Sequence, residues 1–330
     1  MCNFKTICMK TKQLIWAAMI LLFALGCQKD ETVMQENQVD KSPMQFYIDL
    51  KSGGKDLFTS EHLDKINSAL KEQGANYRAA MAECIVAAGS IEMKTIVYAK
   101  FVGNKQLTAD FVPNDIRREW SADPNKITFA IDQTTDAAPS GGLISAEVAT
   151  DAILKAFNTW DMLPSSDLGL TQNPDLGEDI GLIAYINGLG GSPYVFADIQ
   201  TAGWGDIDFE SNILGATYTF IFIDDIDGTP TDIDKNKKMD VAFREVYFDP
   251  SWYWDDSGEN GLDVESIALH ELGHGLSQAH FGIIFVNKEG YFTRIAPRAV
   301  MNPYYFGQFR VLQNTDIGGH SSIWSDWPMK

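Results

Sequence analysis

Three histidines and one glutamate lie close together in one short stretch of the chain: His270, Glu271, His274 and His280. Histidines spaced four apart project from the same face of a helix, near enough for both imidazoles to bind one zinc ion at about 2.0 to 2.1 Å. His280 lies too far along for that face, so we expect the helix to end near Leu276 and the chain to return with a third imidazole. Three neutral nitrogen ligands leave the fourth tetrahedral position to water, which is the arrangement of a catalytic zinc site.

Glu271 follows the first of these histidines and points away from the ligand face of the predicted helix. From there its carboxylate can hydrogen-bond a zinc-bound water and act as a general base. A purely structural zinc site has no need of such a residue. The alternative interpretation is a set of helix-surface histidines that bind no metal. The chain has 5 histidines in 330 residues, and this spacing seldom arises by chance from so few.

A second motif follows the histidines and makes a resemblance specific. Residues 263–281, DVESIALHELGHGLSQAHF, resemble the zinc helix of the metzincin metallopeptidases, and among them of the matrixin family, whose pattern is HExxHxxGxxH. The segment 299–305, AVMNPYY, resembles the Met-turn of the same family with its Pro-x-Tyr wall. The resemblance covers residues 126–330, and it implies a zinc-dependent endopeptidase that hydrolyses peptide bonds of extracellular proteins.

The resemblance also implies where a peptide substrate would bind. An edge strand that pairs with the substrate backbone corresponds to 213–216, and a pocket for an apolar side chain lies beside the zinc. Met301 would pack beneath the metal. Two tyrosines stand three and four places after Met301, so we interpret them as pocket wall and not as zinc ligands. The expected substrate-binding residues are Leu214, Gly215, Ile267, Pro303, Tyr304 and Tyr305.

One departure from the family pattern bears on the third zinc ligand. Ser277 stands where the family has a glycine, which ends the helix with a positive φ, and serine adopts that conformation at a cost of about 1 kcal/mol or more. Gly275 or a differently shaped turn could carry the reversal instead. Ser277 and the unassigned N-terminal region motivate an alternative function, a non-proteolytic surface-binding lipoprotein that retains the metzincin fold.

Cys84 has two interpretations. In matrixin zymogens a propeptide thiolate can bind the zinc, but the flanking Pro-Arg-Cys-Gly signature is absent from this sequence. Cys84 lies instead in the apolar context MAECIV, at 81–86. This context favours a buried structural cysteine.

An acidic loop after the expected edge strand suggests a second metal site. Oxygen ligands at positions 1, 3, 5 and 9 are typical of a calcium loop. Lys237 occupies the place of the usual glycine, however, and Phe243 that of the bidentate glutamate. Calcium and a merely solvated acidic loop therefore stay open as alternatives. The candidate calcium ligands are Asp232, Asp234, Asn236 and Asp240.

The elements that would position these residues indicate an α+β fold, with a twisted mixed sheet, a zinc helix and a C-terminal helix. Period-two alternation predicts the strands, and apolar stripes at helical spacing predict the helices. Asp263 is the expected N-cap of the zinc helix. We predict strands at 126–132, 180–185, 195–200, 213–223 and 241–248, and helices at 145–160, 263–276 and 316–324.

A small α/β region is expected before this catalytic domain, over 46–125. Its pattern predicts a short strand at 46–50, a helix that opens near Ser60 and stops at Gly74, and strands at 77–87 and 94–102. Turn-forming residues near 113 and 123 mark a boundary at about 125. The region could be a removable propeptide or a permanent spacer.

The amino terminus indicates export. Lysines precede the apolar run Leu14–Leu25, which is long enough for a signal-peptide core and too short for a bilayer span. Residues 24–27, ALGC, resemble a bacterial lipobox, which implies a signal peptide over 1–26, lipidation of Cys27 and a polar tether over 27–45. The following QKDE resembles a tag for the outer face of the outer membrane. We therefore expect a lipid-anchored envelope protein, with a simply secreted form as the alternative.

The charge balance excludes one class of partner. The chain has 26 Lys and Arg against 45 Asp and Glu, which is a formal net charge of -19. A broad basic surface for nucleic acid or anionic lipid is therefore not expected. The expected partners are a protein or peptide substrate and, through the lipid anchor, a membrane.

Overall fold

The computed structural model describes residues 60–87, 106–134, 136–140, 144–166, 168–174, 176–205, 207, 209, 212–286 and 292–329. The expected signal peptide, Cys27, the tether and the strands at 46–50 and 94–102 lie outside these residues. The described residues all belong to one compact unit. Within the described part of the chain, no helix is long and apolar enough to cross a membrane.

The fold is α+β, as the sequence predicts. The described helices are α1 (Ser60–Glu72), α2 (Ala146–Asp161), α3 (Leu182–Asn187), α4 (Val264–Gly275) and α5 (Asn314–Trp324). The described strands are β1 (Tyr77–Ala87), β2 (Ala109–Asp110), β3 (Thr128–Ile131), β4 (Thr171–Gln172), β5 (Ile199–Thr201), β6 (Ile213–Phe222), β7 (Met239–Phe248), β8 (Trp254–Asp255), β9 (Leu262–Asp263), β10 (Ile283–Val286), β11 (Phe292–Ala296) and β12 (Tyr304–Tyr305).

One mixed sheet organises the molecule. Its strands run in the order β12-β1-β6-β7-β5-β3-β4, and β2 adds to β7. β6 pairs antiparallel with β7 on one side and with β1 on the other, whereas β7, β5, β3 and β4 pair parallel. Buried apolar side chains cover both faces of the central strands, which form two core clusters. Because both faces of the sheet are covered, β6 is buried along its whole length and β7 at every position after Met239.

The sheet joins residues from both sides of the boundary expected at 125. β1 has the predicted bounds, yet it does not belong to a separate α/β region, because it is hydrogen-bonded between β6 and β12. α1 contributes Ile66 and Leu70 to the same buried cluster as Cys84 on β1. The segment before 125 is therefore part of the architecture that surrounds the site.

The segment expected to be a strand at 180–185 is helical instead. α3 begins at Leu182, after Gly181, and ends where Gly188 adopts the left-handed conformation with φ 71°. A buried carboxylate from β7 stabilises its first turn: Glu245 accepts hydrogen bonds from the backbone N–H groups of Leu182 at 2.7 Å and Ile183 at 3.2 Å. This tertiary contact satisfies helix-terminal N–H groups that would otherwise lack partners, and it overrides the local strand pattern.

α4 carries the histidine motif through the middle of the core. Asp263 caps its first turn, as predicted, because its side chain accepts from the backbone N–H of Ser266 at 2.9 Å. α2 and α5 hold the helix from two sides by tryptophan side chains. The indole N–H of Trp160 donates to the carbonyl of Leu269, and that of Trp324 donates to the carbonyl of Leu276, each at 2.9 Å.

Candidate metal centre and cleft

The three histidines converge on one point. Their Nε2 atoms form a triangle with sides of 3.1 Å between His274 and His270, 3.2 Å between His274 and His280, and 3.3 Å between His270 and His280. All three side chains are buried, with His270 and His274 fully inaccessible and His280 5% exposed. The three residues whose spacing predicts a metal site are therefore brought together as a group that could hold a metal ion.

The hydrogen bonds on the far side of the rings show which nitrogen carries the proton. Nδ1 of His270 lies 2.6 Å from the carbonyl oxygen of Val300, and Nδ1 of His274 lies 2.7 Å from that of Gln278. A carbonyl can only accept, so Nδ1 is the donor in both rings and the neutral ring has its lone pair on Nε2. The ring of His280 hydrogen-bonds to the backbone of Cys84.

Lone pairs that face one another at these distances need a cation between them. Neutral imidazoles with Nδ1–H have no proton to share among the Nε2 atoms, so the triangle is electrostatically unfavourable without a positive charge at its centre. A tetrahedral zinc ion bound at 2.0 to 2.1 Å separates its ligand nitrogens by about 3.3 Å, close to the sides of this triangle. The residues present fit a zinc ion in size and donor type.

Burial keeps these ligands neutral. Loss of hydration lowers the pKa of His270 to about 4 and lowers the pKa values of His274 and His280 well below their usual range. Neutral imidazole is the form that binds a metal ion. The carbonyl groups that orient the rings are the partners that metal-binding histidines usually have outside the coordination sphere.

The turn that brings His280 back uses Ser277 itself. Ser277 has φ 66°, so the left-handed conformation falls on the serine and not on Gly275. A buried guanidinium accompanies it, since Nη1 of Arg244 donates to the Ser277 hydroxyl and to the carbonyl of Gly275, both at 2.9 Å. The departure from the glycine pattern therefore comes with a hydrogen bond that glycine cannot make.

Glu271 lies beside the histidine triangle and is fully buried. Its Oε1 accepts a hydrogen bond from the backbone N–H of Ile85 at 3.0 Å, and its Oε2 lies 2.6 Å from the hydroxyl of Thr217. Burial raises the pKa of Glu271 to about 8. A cation at the histidine centre would lower that pKa again, because it favours the ionised carboxylate.

Met301 packs against α4. A Cβ placed on Gly273 would lie 2.2 Å from the Met301 sulfur, so the glycine makes room for the methionine. The turn is held by α5: the carboxylate of Asp316 accepts from the backbone N–H groups of Val300 at 3.0 Å and Met301 at 3.1 Å. Because Val300 also holds His270, α5 is connected to the first histidine through this turn.

The residues expected to bind substrate surround one strand of the protein's own chain. Gly215 on β6 pairs with Ile85 of β1. On β12, Tyr304 and Tyr305 pair with the next two residues of β1, Val86 and Ala87. Leu214 and Ile267 are buried, with Ile267 on the α4 face beneath Gly215. The carbonyl of Pro303 accepts from the backbone N–H of Val86 at 3.1 Å. All six expected residues therefore lie on or beside the elements that flank β1.

Cys84 is a buried cysteine of the core. It belongs to the cluster on the sheet face that also contains Tyr218 and Tyr304, whereas Ile85 belongs to the cluster on the α4 face. Neighbouring residues of a strand point to opposite faces, so the Cys84 side chain lies on the face away from α4. This position agrees with a structural cysteine.

The acidic loop brings three of its four predicted ligands together. Carboxylate oxygens of Asp232, Asp234 and Asp240 lie within 4.8 Å of one another. Asp240 already has a cationic partner, since its Oδ2 lies 2.8 Å from Nη2 of Arg117. Asn236 donates its amide N–H to Asp234 at 3.0 Å. An ion pair thus partly neutralises the charge that calcium would meet, and calcium stays a prediction for this loop.

Some important residues were not identified from the sequence. Thr217 and Asp316 support the glutamate and the Met-turn, but a lone hydroxyl or carboxylate has no sequence signal for such a role. Arg244 and Glu245 did have one, because two adjacent charges interrupt an apolar strand, and both are fully buried. A charge inside a buried strand requires a specific partner. The contact of the Ile85 N–H with Glu271 could not have been predicted, since it depends on the pairing of β1 with β6.

A scan against models of known protein families found no match for this chain, and a search of curated proteins found no similar sequence.

Proposed function

We propose that the protein is a zinc-dependent endopeptidase. The observation that carries the proposal is the convergence of three buried, neutral Nε2 atoms at 3.1 to 3.3 Å beside a buried glutamate on the same helix. Three nitrogen ligands with a neighbouring general base suit hydrolysis better than they suit structural support.

Each residue has a defined role in this proposal. His270, His274 and His280 would hold the zinc ion, which lowers the pKa of water and polarises a scissile carbonyl when it is bound. Glu271 takes a proton from the attacking water and returns it to the leaving nitrogen. Thr217 holds that carboxylate, with its hydroxyl 2.6 Å from Oε2.

Substrate binding would use the sheet. A peptide in extended conformation can pair with the 213–216 segment of β6 and gain affinity from main-chain hydrogen bonds, with little sequence preference. Preference would come from the pocket between Ile267 and the 303–305 segment, which is apolar and favours an apolar side chain on the primed side.

A matrixin-like metzincin fold is part of the proposal. The mixed sheet, the histidine helix α4, the methionine turn at 299–305 and the terminal helix α5 support it.

We also propose that the chain is anchored through a lipid on Cys27 after removal of 1–26, at the outer face of the outer membrane. Loss of labelled fatty acid from a Cys27→Ser variant tests the anchor, and retention of the label would contradict it.

A chelator-controlled assay tests the enzymatic proposal. Zinc-loaded protein should cleave a peptide library or casein, the cleavage should stop on chelation, and zinc should restore it. The Glu271→Ala variant should bind zinc normally and lose activity, because it lacks the carboxylate that accepts the proton and keeps all three histidines. Hydrolysis that is undiminished in this variant would overturn the mechanism.

The occupied cleft favours one alternative, a surface-binding lipoprotein without peptidase activity. In the structure β1 already pairs with the edge of β6 that a substrate would use. A protein that binds one zinc ion and never cleaves a library peptide, even when β1 is weakened by substitution, would support this alternative.

A further inference from the structure

β1 lies in the proposed cleft in the manner of a bound peptide. It pairs antiparallel with β6, where Ile85 is opposite Gly215, and parallel with β12, where Val86 is opposite Tyr304. Both edges of the strand are therefore hydrogen-bonded, which is how an extended peptide adds to a sheet. The strand passes directly beside the histidines and Glu271.

One peptide bond of β1 lies at the reactive position. The backbone nitrogen of Ile85 is 3.0 Å from Oε1 of Glu271, the group that would return a proton to a leaving nitrogen. On the other side of the same bond, the backbone of Cys84 hydrogen-bonds to the ring of His280. The Cys84–Ile85 bond thus lies between Glu271 and the ring of His280.

The side chain of Ile85 fits the adjoining pocket. It is 3% exposed and lines a small cavity together with Val300, Tyr304 and Tyr305. Tyr304 and Tyr305 belong to the wall where the proposal puts an apolar side chain of a substrate. Glu83, one residue before Cys84, has Oε2 3.7 Å from Nδ1 of His280 and stays partly exposed at the mouth of the cleft.

We propose that β1 is the first substrate of this cleft and that the Cys84–Ile85 bond is hydrolysed within the same chain. This inference rests on the proposed peptidase function. In the step, the oxygen of a water molecule bonds to the carbonyl carbon of Cys84 and the C–N bond to Ile85 breaks. Glu271 carries the proton to the leaving nitrogen, so the products are a carboxylate at Cys84 and an amine at Ile85.

Self-cleavage also determines access to the cleft. While β1 is intact and seated, its hydrogen bonds occupy the edge of β6 beside Glu271, and a second peptide cannot pair there. Cutting the Cys84–Ile85 bond turns one continuous strand into two chain ends. Each end can then leave the sheet separately, because fewer hydrogen bonds hold it.

Intact mass and N-terminal sequencing test the proposed bond. The full chain is purified with a chelator, and zinc is then added. We expect one cut, a new amino terminus that begins at Ile85, and a rate constant that is independent of protein concentration. Glu271→Gln, whose amide oxygen can still accept from the Ile85 N–H, should leave the chain intact.

A matched pair of variants separates seating of the strand from folding. Ile85→Val keeps the N–H and an apolar side chain, so it should be cut at the same bond. Ile85→Asp places a charge in the apolar pocket beside Glu271 and should abolish cleavage there. Ile85→Ala, which only shortens the side chain and should slow the cut, replaces the aspartate variant if that variant does not fold.

A binding measurement without metal tests occupancy of the cleft independently of hydrolysis. The probe is a fluorescent peptide with the sequence of 79–87, added to metal-free Glu271→Gln protein. Anisotropy should show weak binding while β1 is seated, and binding at least about tenfold tighter after Ile85→Asp is added. Equal, tight binding to both proteins would overturn the inference.

The outcomes distinguish this inference from the proposed function. If the zinc-loaded protein cleaves library peptides while its own mass stays unchanged, self-cleavage is wrong and the peptidase proposal stands. A cut at another bond also overturns the inference. If zinc is bound and neither the library nor the chain is cleaved, the peptidase proposal fails and the inference fails with it.

Discussion

Substitutions of Ser277 separate two opposing contributions at the turn that delivers His280. The residue has φ 66°, a conformation that costs a non-glycine residue roughly 1 to 2 kcal/mol. Its hydroxyl also accepts a hydrogen bond from the buried guanidinium of Arg244 at 2.9 Å. A hydrogen bond to a charged group contributes about 1.5 to 3 kcal/mol. The family glycine would relieve the strain but lose this bond.

The two effects predict an order of stability. Ser277→Ala loses the hydrogen bond and keeps the strain, so it should reduce the free energy of unfolding by about 1.5 to 3 kcal/mol. Ser277→Gly loses the same bond but gains about 1 kcal/mol from relief of strain, after the greater chain entropy of glycine in the unfolded state is included. The glycine variant should therefore be about 1 kcal/mol more stable than alanine, and less stable than wild type.

Urea unfolding of the three metal-free proteins measures these differences. Metal is removed because zinc binding would add its own stabilisation to the folded state. A glycine variant no more stable than alanine would show that the left-handed conformation carries no cost. A glycine variant more stable than wild type would show that the Arg244 hydrogen bond contributes less than the strain.

Three further predictions concern α4, a buried carboxylate and the hydroxyl that contacts Glu271. Gly273→Ala should destabilise the fold by about 1 to 3 kcal/mol in thermal unfolding, since its Cβ would lie 2.2 Å from the Met301 sulfur. Gly275→Ala, whose nearest contact is 3.3 Å, should be nearly neutral. Burial raises the pKa of Asp132 to about 6, so the folded state binds this proton more tightly than the unfolded chain does. The free energy of unfolding should therefore decrease as pH rises from about 4 to 6. Asp132→Asn should lack that component in urea titrations at each pH, and equal pH slopes would contradict it. Thr217→Val should lower kcat about tenfold and leave zinc affinity unchanged, because the Thr217 hydroxyl hydrogen-bonds to Glu271 and to none of the histidines. An equal loss of zinc affinity would contradict that role.

The grouping of the first two histidines could be predicted from the sequence because a helix determines local spacing. Residues four apart lie on one face whatever the rest of the fold does, and the N-cap Asp263 marks the start of the helix. Strands with strong alternation were also predicted closely, including β1 over Tyr77–Ala87 and β7 up to Phe248. In these elements local pattern and tertiary environment agree.

The rest depended on contacts between distant parts of the chain. The pattern at 180–185 is compatible with a strand, and the helix there is stabilised by distant side chains of β7, among them the carboxylate of Glu245. β1 could be predicted as a strand, but nothing in its alternation specifies β6 and β12 as its partners. The boundary expected at 125 was inferred from turn formers, which mark loops and do not show whether the flanking segments share a sheet.

Zinc K-edge X-ray absorption of the protein loaded with one equivalent of zinc tests the metal centre most directly. Three converging imidazoles predict three nitrogen scatterers at about 2.0 to 2.1 Å with imidazole outer-shell features, and one further light ligand. A sulfur scatterer at about 2.3 Å would contradict the position of Cys84 in the core. A spectrum with fewer than three imidazoles, or a folded protein that retains no zinc, would contradict the metal centre itself.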